Sequence, residues 1–113
     1  MTAPPHSLDA LWSELWISLA SLLRSYTALH GLSGNRQATV ELSEDRILVR
    51  CDESWLDLRR TGAKVSWQCE DGRSGVLELT QNGRLHRASG EEEMDMAAEA
   101  WARDLMKLTE LPR

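Results

Sequence analysis

Residues 38–51, ATVELSEDRILVRC, alternate apolar and polar side chains on both sides of the acidic pair Glu44-Asp45. A period of two is typical of strands that bury one face. A two-residue turn at Glu44-Asp45 would place every apolar residue opposite an apolar one, and this match decides the register of a hairpin. The predicted pairs are Leu42 with Ile47, Val40 with Val49, and Ala38 with Cys51. The stretch therefore predicts an antiparallel hairpin and, with it, an antiparallel sheet.

A second hairpin follows from the same alternation further along the chain. Its apolar positions are Val65, Trp67 and Cys69 in one strand, and Leu77 and Leu79 in the next. We interpret Gly72 and Gly75 as hairpin glycines, because a strand follows them and a phosphate-binding loop would lead into a helix. With the loop over residues 71–75, the expected pairs are Cys69 with Leu77 and Trp67 with Leu79.

The third turn contains Asn82-Gly83, a dipeptide that is typical of two-residue hairpin loops. A two-residue loop would place the apolar Leu79 opposite His86. We instead predict the three-residue loop 81–83, with its glycine left-handed, because this loop pairs Leu79 with Leu85.

Residues 52–62 allow two interpretations. Ser54 and Asp57 match the start of a short helix with a capping box. A strand with Leu56 and Leu58 on one face fits the same residues equally well. Whether residues 54–61 are helix or strand stays open from the sequence.

Helices flank the predicted sheet on both sides. Over residues 8–29, apolar side chains recur at alternating spacings of four and three residues, which is typical of an amphipathic helix. Ser7 fits the N-cap of this helix, and Gly31 fits a left-handed residue at its C-terminal end. On a helical wheel ten large apolar residues fall in one arc about 140° wide, which one sheet face and a second helix can cover. Trp16 lies at the edge of that arc, and Ile17 lies on the opposite side of the helix.

The last predicted helix spans residues 90–109. Ser89 and Glu92 match a capping box, and the acidic run 91–93 would oppose the positive end of the helix dipole. This position explains the run without a metal ion. The apolar stripe of the helix is Met94, Ala98, Trp101, Leu105 and Leu108.

These elements predict a single domain over residues 1–113, with a loose lead-in over 1–6, a helix over 8–29, an antiparallel sheet over 37–88 and a helix over 90–109. The hairpins are short, and no strand–helix–strand crossover is present. We therefore expect an α+β fold, a two-layer sandwich. Its sheet would be an antiparallel meander of four or five strands, with the N-terminal and C-terminal helices packed on one face.

Composition limits the classes of function. The 113 residues include 13 Lys and Arg against 18 Asp and Glu, which gives a formal net charge of −5. No basic block is present, so we do not expect a nucleic acid or an anionic membrane as the partner. The lead-in lacks the basic region of a signal peptide, and no run reaches the ~18 apolar residues of a membrane span. We therefore expect a cytoplasmic location.

The sequence contains no catalytic or metal-binding motif, and we predict no catalytic residue, no metal and no cofactor. The three histidines stand far apart in the sequence, at His6, His30 and His86. In the predicted register Glu78 lies opposite His86 and could hold a proton there, with an ordinary cross-strand polar pair as the alternative. Cys51 and Cys69 fall on the apolar faces of their strands, so we expect packed, reduced thiols, with a cross-strand disulfide as the alternative.

The leading hypothesis is a non-enzymatic protein-interaction module, a homodimer, that binds another protein through an open sheet face or edge. The candidate contact residues are Trp16 and Ile17 on the first helix, and Arg46, Leu48, Arg50, Lys64, Arg84 and His86 on the outer sheet face. One alternative is a small-ligand-binding protein or minor enzyme, whose pocket between sheet and helices is lined by Trp67, Cys69 and Trp101. The other is a weak nucleic-acid binder that uses the basic residues of the outer face. We do not favour it, because a sheet that binds single strands usually carries aromatic side chains.

Overall fold

The computed structural model describes residues 6–32 and 36–106, with side chains from Asp9 onward in the first helix. The helices are α1 (His6–Gly31) and α2 (Met94–Met106). The strands, in chain order, are β1 (Thr39–Leu42), β2 (Arg46–Cys51), β3 (Ser54–Thr61), β4 (Lys64–Cys69), β5 (Ser74–Leu79), β6 (Arg84–Arg87) and β7 (Gly90–Glu93). Each strand pairs antiparallel with the next strand of the chain, which gives one seven-stranded meander.

The prediction of an α+β fold with two helices and an antiparallel sheet is confirmed. The predicted count of four or five strands is wrong, because the sheet has seven strands within residues 36–106. The two strands that the sequence left open or missed are β3 and β7.

Residues 54–61 form a strand, so the helical interpretation of this segment is wrong. Leu56 and Leu58 are fully buried, and each lies between residues of the two neighbouring strands. Asp52 makes the tight turn before the strand with a φ of 55°, a conformation that Asp adopts more readily than most residues. Pairing on both sides and burial of one face stabilise this segment as a strand, whereas a helix of two turns is marginal.

The acidic run 91–93 lies in β7 and not in the first turn of a helix, which begins at Met94. The capping-box interpretation of Ser89 and Glu92 is therefore wrong. β6 supplies the physical reason, because Arg84 lies 2.6 Å from Glu93 and Arg87 lies 2.8 Å from Glu92. The predicted helix positions 107–109, including Leu108, lie outside the described residues.

The first and third hairpins have the predicted registers. Leu42 faces Ile47, and Val40 faces Val49. Leu79 faces Leu85 across a loop in which Gly83 has a φ of 81°. The predicted pair of Ala38 with Cys51 falls one residue before the start of β1.

The register of the second hairpin is not the one that we predicted. Trp67 faces Gly75, and Leu77 faces Val65. The loop closes earlier, where the Cys69 amide donates to the Arg73 carbonyl at 2.8 Å. The reason is steric, because a Cβ at Gly75 would lie 2.8 Å from the indole Nε1 of Trp67. Gly75 is thus a strand residue that leaves room for an indole, and not a turn residue.

Gly31 ends α1 without the left-handed conformation that we predicted, since it is absent from the described residues with positive φ. A Cβ there would lie 2.3 Å from the carbonyl oxygen of Arg36, whose amide also donates to the Gly31 carbonyl at 2.9 Å. Close approach of the chain therefore requires this glycine. At the other end, α1 begins at His6, so Ser7 is inside the helix and is not its N-cap.

Both helices pack on one face of the sheet and form the core with it. Buried residues of α1, of β2 to β6 and of α2 make a single cluster. Outside the core, the two helices are joined by polar contacts. The Tyr26 hydroxyl donates to an Asp95 carboxylate oxygen at 2.7 Å, and His30 Nε2 lies 2.8 Å from Glu99 Oε2. The other face of the sheet carries no described helix.

Candidate binding groove on the uncovered sheet face

Side chains alternate between the two faces along each strand, and this fixes which residues the uncovered face displays. The structure places all the residues that we predicted for this face on it: Arg46, Leu48, Arg50, Lys64, Arg84 and His86. β3 adds Trp55, Asp57 and Arg59, which the sequence did not assign. Trp55 is half-buried, so this face carries an aromatic side chain that we had not expected there.

Asp57 is the central charge of this face and is only 6 % exposed, although no described helix covers it. Arg46 of β2 and Arg59 of β3, which lie opposite each other in the register, both bind its carboxylate. Arg46 donates to both oxygens at 3.0 and 3.2 Å, and Arg59 donates to Oδ2 at 3.3 and 3.2 Å. Burial by itself raises the pKa of Asp57, but the hydrogen bonds from Arg46 and Arg59 outweigh burial and hold that pKa below its usual value.

Other arginines of this face also have acidic neighbours. Arg50 lies 2.7 Å from Glu41, and Arg84 lies 2.6 Å from Glu93. Because these cations are neutralised locally, the basic residues of the face give it less positive charge than their number suggests. Lys64 is the predicted basic residue that has no such ion pair within the described part of the chain.

A groove crosses the uncovered face along β4 and β5. A depression of about 550 Å³ lies between Arg59 and His86, and a second of about 320 Å³ adjoins it. The two depressions share Arg59, Ser66 and Val76. The groove exists because Ser66, Ser74 and Val76 are short, whereas the surrounding groove residues have long side chains: Arg59, Lys64, Gln68 and Glu78. We call these two depressions together the sheet-face groove.

The polar side chains of the sheet-face groove have few internal partners. Lys64, Glu78 and His86 make no side-chain hydrogen bond or ion pair among the residues that the structure describes. Glu78 and His86 do lie directly opposite each other, as we predicted. Val76 lies on β5 opposite Ser66, two residues before Glu78, and is 74 % exposed. The groove therefore combines an apolar contact point with a cation, a carboxylate and an imidazole that are free to bind.

The two candidate contact residues of α1 differ in exposure. Trp16 is buried in the core, where its Nε1 donates to the Ser43 carbonyl at 3.0 Å and its ring lies 5.6 Å from the Arg60 guanidinium carbon. Trp16 therefore offers no surface to a partner. Ile17 is 53 % exposed, next to Leu42 of β1.

The three residues predicted to line a pocket between the layers lie at one end of the core. Trp67 and Trp101 pack edge to face with ring centroids 5.9 Å apart. The space beside Trp101 and Cys69 is only about 50 Å³. The ligand pocket that we considered would need several times this volume.

Both cysteines are free thiols on strands. Cys51 is on β2 and Cys69 on β4, and β3 separates these strands by about 10 Å, whereas disulfide-bonded Cα atoms lie within about 7 Å. The disulfide alternative is therefore wrong for this fold. Burial raises the pKa of the Cys69 thiol.

Among residues 6–32 and 36–106, no group of three or more His, Cys, Asp or Glu side chains could hold a metal ion. Neither of the described helices is long and apolar enough to cross a membrane.

No family model matches the chain, and no match was found among the curated proteins or the solved structures.

One groove residue that the prediction omitted, Val76, could have been found from the sequence. The alternation that places Glu78 outside also places Val76 there. Asp57 and Arg59 could be assigned to this face only if residues 54–61 were interpreted as a strand. The burial of Asp57 could not be predicted, since it depends on Arg46 of another strand.

Proposed function

We propose that this chain is a non-enzymatic protein-interaction module that binds an extended segment of another protein in the sheet-face groove. The observation that carries this proposal is the open depression of about 550 Å³ around the exposed Val76. Its size falls in the range of ligand sites, but it is a trough along two strands and not an enclosed cavity. A trough of this kind accommodates an extended chain better than a compact small molecule.

The side chains of the groove specify the chemistry of the segment. Val76 offers an apolar contact, so an apolar side chain of the segment would pack on it. Lys64 on β4 has no ion pair among the described residues and would attract a carboxylate, which would form a charge-assisted hydrogen bond with it. Glu78 lies opposite Lys64 on β5 and would accept a hydrogen bond from a main-chain amide or a hydroxyl. The expected segment therefore carries an acidic and an apolar residue close together.

The two alternative functions have less support. A pocket between the layers has little room, because Trp67 and Trp101 pack against each other. Nucleic-acid binding would rely on cations that are already paired with Asp57, Glu41 and Glu93. The cytoplasmic location stays a prediction.

A peptide display experiment tests the proposal. A library of random peptides is selected on the purified protein, and enriched peptides are measured by fluorescence anisotropy. We expect enriched sequences that combine an acidic and an apolar residue. Val76→Glu and Lys64→Glu should each weaken their binding by about tenfold or more, which corresponds to about 1.4 kcal/mol.

Met96→Glu is the matched control, because Met96 is also exposed but lies on α2, away from the groove. It should leave peptide affinity unchanged. The proposal is wrong if no peptide is enriched, or if the enriched peptides bind the Val76→Glu protein as tightly as the original.

A further inference from the structure

The sheet has two edges, and they differ in how they resist pairing with another strand. β7 has the sequence Gly-Glu-Glu-Glu, so a second β7 brought beside it would bring six glutamates together, against two for a pair of β1 strands. β1, Thr39–Leu42, contains no lysine and no proline, which are the residues that commonly protect an edge. No described strand pairs with the outer side of β1, so among the described residues β1 is the edge that is open to pairing.

The main-chain groups that β1 presents can be deduced from its pairing with β2. The Ser43 amide donates to the Arg46 carbonyl at 2.8 Å, which closes the hairpin. Hydrogen-bonded and non-hydrogen-bonded pairs alternate from that point. Val40 and Leu42 therefore direct their N–H and C=O groups away from β2. Arg24 Nη2 donates to the Val40 carbonyl at 3.4 Å, and that oxygen has a second lone pair for another donor.

Apolar surface lies beside this edge. Leu42 is 39 % exposed and Ile17 of α1 is 53 % exposed. Both line a hollow of about 380 Å³ between α1 and the hairpin of β1 and β2. A second hollow, of about 340 Å³, lies further along the same side at Ala28 and Ala38. The side chains of a strand added to β1 could thus pack against this apolar surface.

We propose that β1 pairs antiparallel with β1 of a second copy of this chain, which joins two sheets into one. A two-fold axis through Glu41 places Val40 of each copy opposite Leu42 of the other. In this register residues on the same face meet, and the outward main-chain groups of both residues are satisfied. Ile17 of each copy becomes covered by the helix layer of the other.

Self-complementarity of β1 favours a second copy over a foreign strand. The two residues whose main-chain groups point away from β2, Val40 and Leu42, both have apolar side chains. In an antiparallel pair of β1 strands, Val40 of one copy would therefore contact Leu42 of the other. The axis brings two Glu41 side chains together, but each lies 2.7 Å from an Arg50 guanidinium of its own chain. The interface would therefore contain two Glu41 carboxylates and two Arg50 guanidinium groups, whose attraction offsets the repulsion between the carboxylates. This interface leaves the sheet-face groove open.

Disulfide trapping tests this interface. In a non-hydrogen-bonded antiparallel pair the Cα atoms are about 4.5 Å apart, within the range of a disulfide. Glu41→Cys should therefore form a covalent dimer on mild oxidation, seen on a non-reducing gel. Thr39→Cys is the matched control on the same strand, because its two copies would be roughly 13 Å apart along the strand and should not cross-link.

Sedimentation velocity of the unmodified protein at micromolar concentration should show a dimer. Leu42→Lys should convert it to a monomer, whereas Val76→Glu in the groove should leave the dimer intact. A protein that is still monomeric at about 100 µM would overturn the proposal. A dimer that Glu41→Cys fails to trap, or that Leu42→Lys leaves unchanged, would also overturn it, because another surface would then join the copies.

Discussion

Asp57→Asn is expected to lower the free energy of unfolding by about 2 kcal/mol. Removing one partner of a fully buried ion pair costs about 3–5 kcal/mol, while exposed pairs contribute about 0–1 kcal/mol. Asp57 is 6 % exposed, but the side chains of Arg46 and Arg59 are 42 % and 60 % exposed, so solvent screens part of the interaction. The expected value therefore lies between those limits.

The register of β2 and β3 adds a second reason. Arg46 and Arg59 lie directly opposite each other, and the carboxylate of Asp57 is the negative charge that both of them bind. An amide at position 57 keeps the shape but leaves two guanidinium groups side by side. Like charges in directly opposite positions of a sheet destabilise it.

Urea unfolding followed by tryptophan fluorescence measures this effect. Glu93→Gln is the matched control, because Glu93 also pairs with an arginine on the same face, but both partners are exposed. It should change stability by less than about 0.5 kcal/mol. If Asp57→Asn costs no more than Glu93→Gln, the carboxylate does not hold the two strands together as we infer.

The pH dependence has a definite sign. The pKa of Asp57 is below its usual value of 3.8, so the ionised group stabilises the folded state above that pH. This contribution is lost as the pH falls through the lowered pKa. The difference between the original protein and Asp57→Asn should be constant from pH 7 to pH 5 and should shrink below about pH 4. A difference that is still undiminished at pH 3 would contradict the cause that we assign.

Two further predictions concern the packing of Gly75 against Trp67 and the reactivity of the two thiols. Gly75→Ala should destabilise the protein by about 1–3 kcal/mol in urea unfolding, because the new methyl group would meet the Trp67 indole, whereas Ser74→Ala should have little effect. An unchanged midpoint for Gly75→Ala would show that the indole moves away without cost. In native protein at pH 8, both thiols should react with a disulfide reagent more slowly than free cysteine, with the half-buried Cys69 ahead of the buried Cys51. Reaction of both at the free-thiol rate would show that the strand ends open readily.

Local patterning predicted the parts of the fold that local chemistry decides. The alternation around Glu44-Asp45 predicted the first hairpin and its register, because apolar residues of both strands share one face. The same reasoning failed at the second hairpin. Matching apolar residues with each other there ignores that a large indole needs a small residue opposite it, and Gly75 meets that need for Trp67.

The acidic run 91–93 shows a different limit. Its spacing from Ser89 matches the start of a helix, and this pattern lies entirely within a few residues. The strand that forms instead is stabilised by Arg84 and Arg87, whose contribution depends on how the chain turns between β6 and β7. Residues 54–61 were ambiguous for the same reason, because their strand is defined by neighbours on both sides. The candidate site was predictable as a face, but the groove needed the lengths of side chains on four strands.

The neighbour-to-neighbour order of the seven strands has a consequence for folding kinetics. Every strand pair joins segments that are adjacent in the chain, so the sheet has a low contact order and its hairpins can form without closing a long loop. The packing of α1 against α2 is different, since Tyr26 and Asp95 are 69 positions apart. Closing that loop costs conformational entropy before any contact compensates for it. This topology therefore favours formation of the hairpins first, followed by docking of the two helices. The contacts between α1 and α2 are expected to form late in folding.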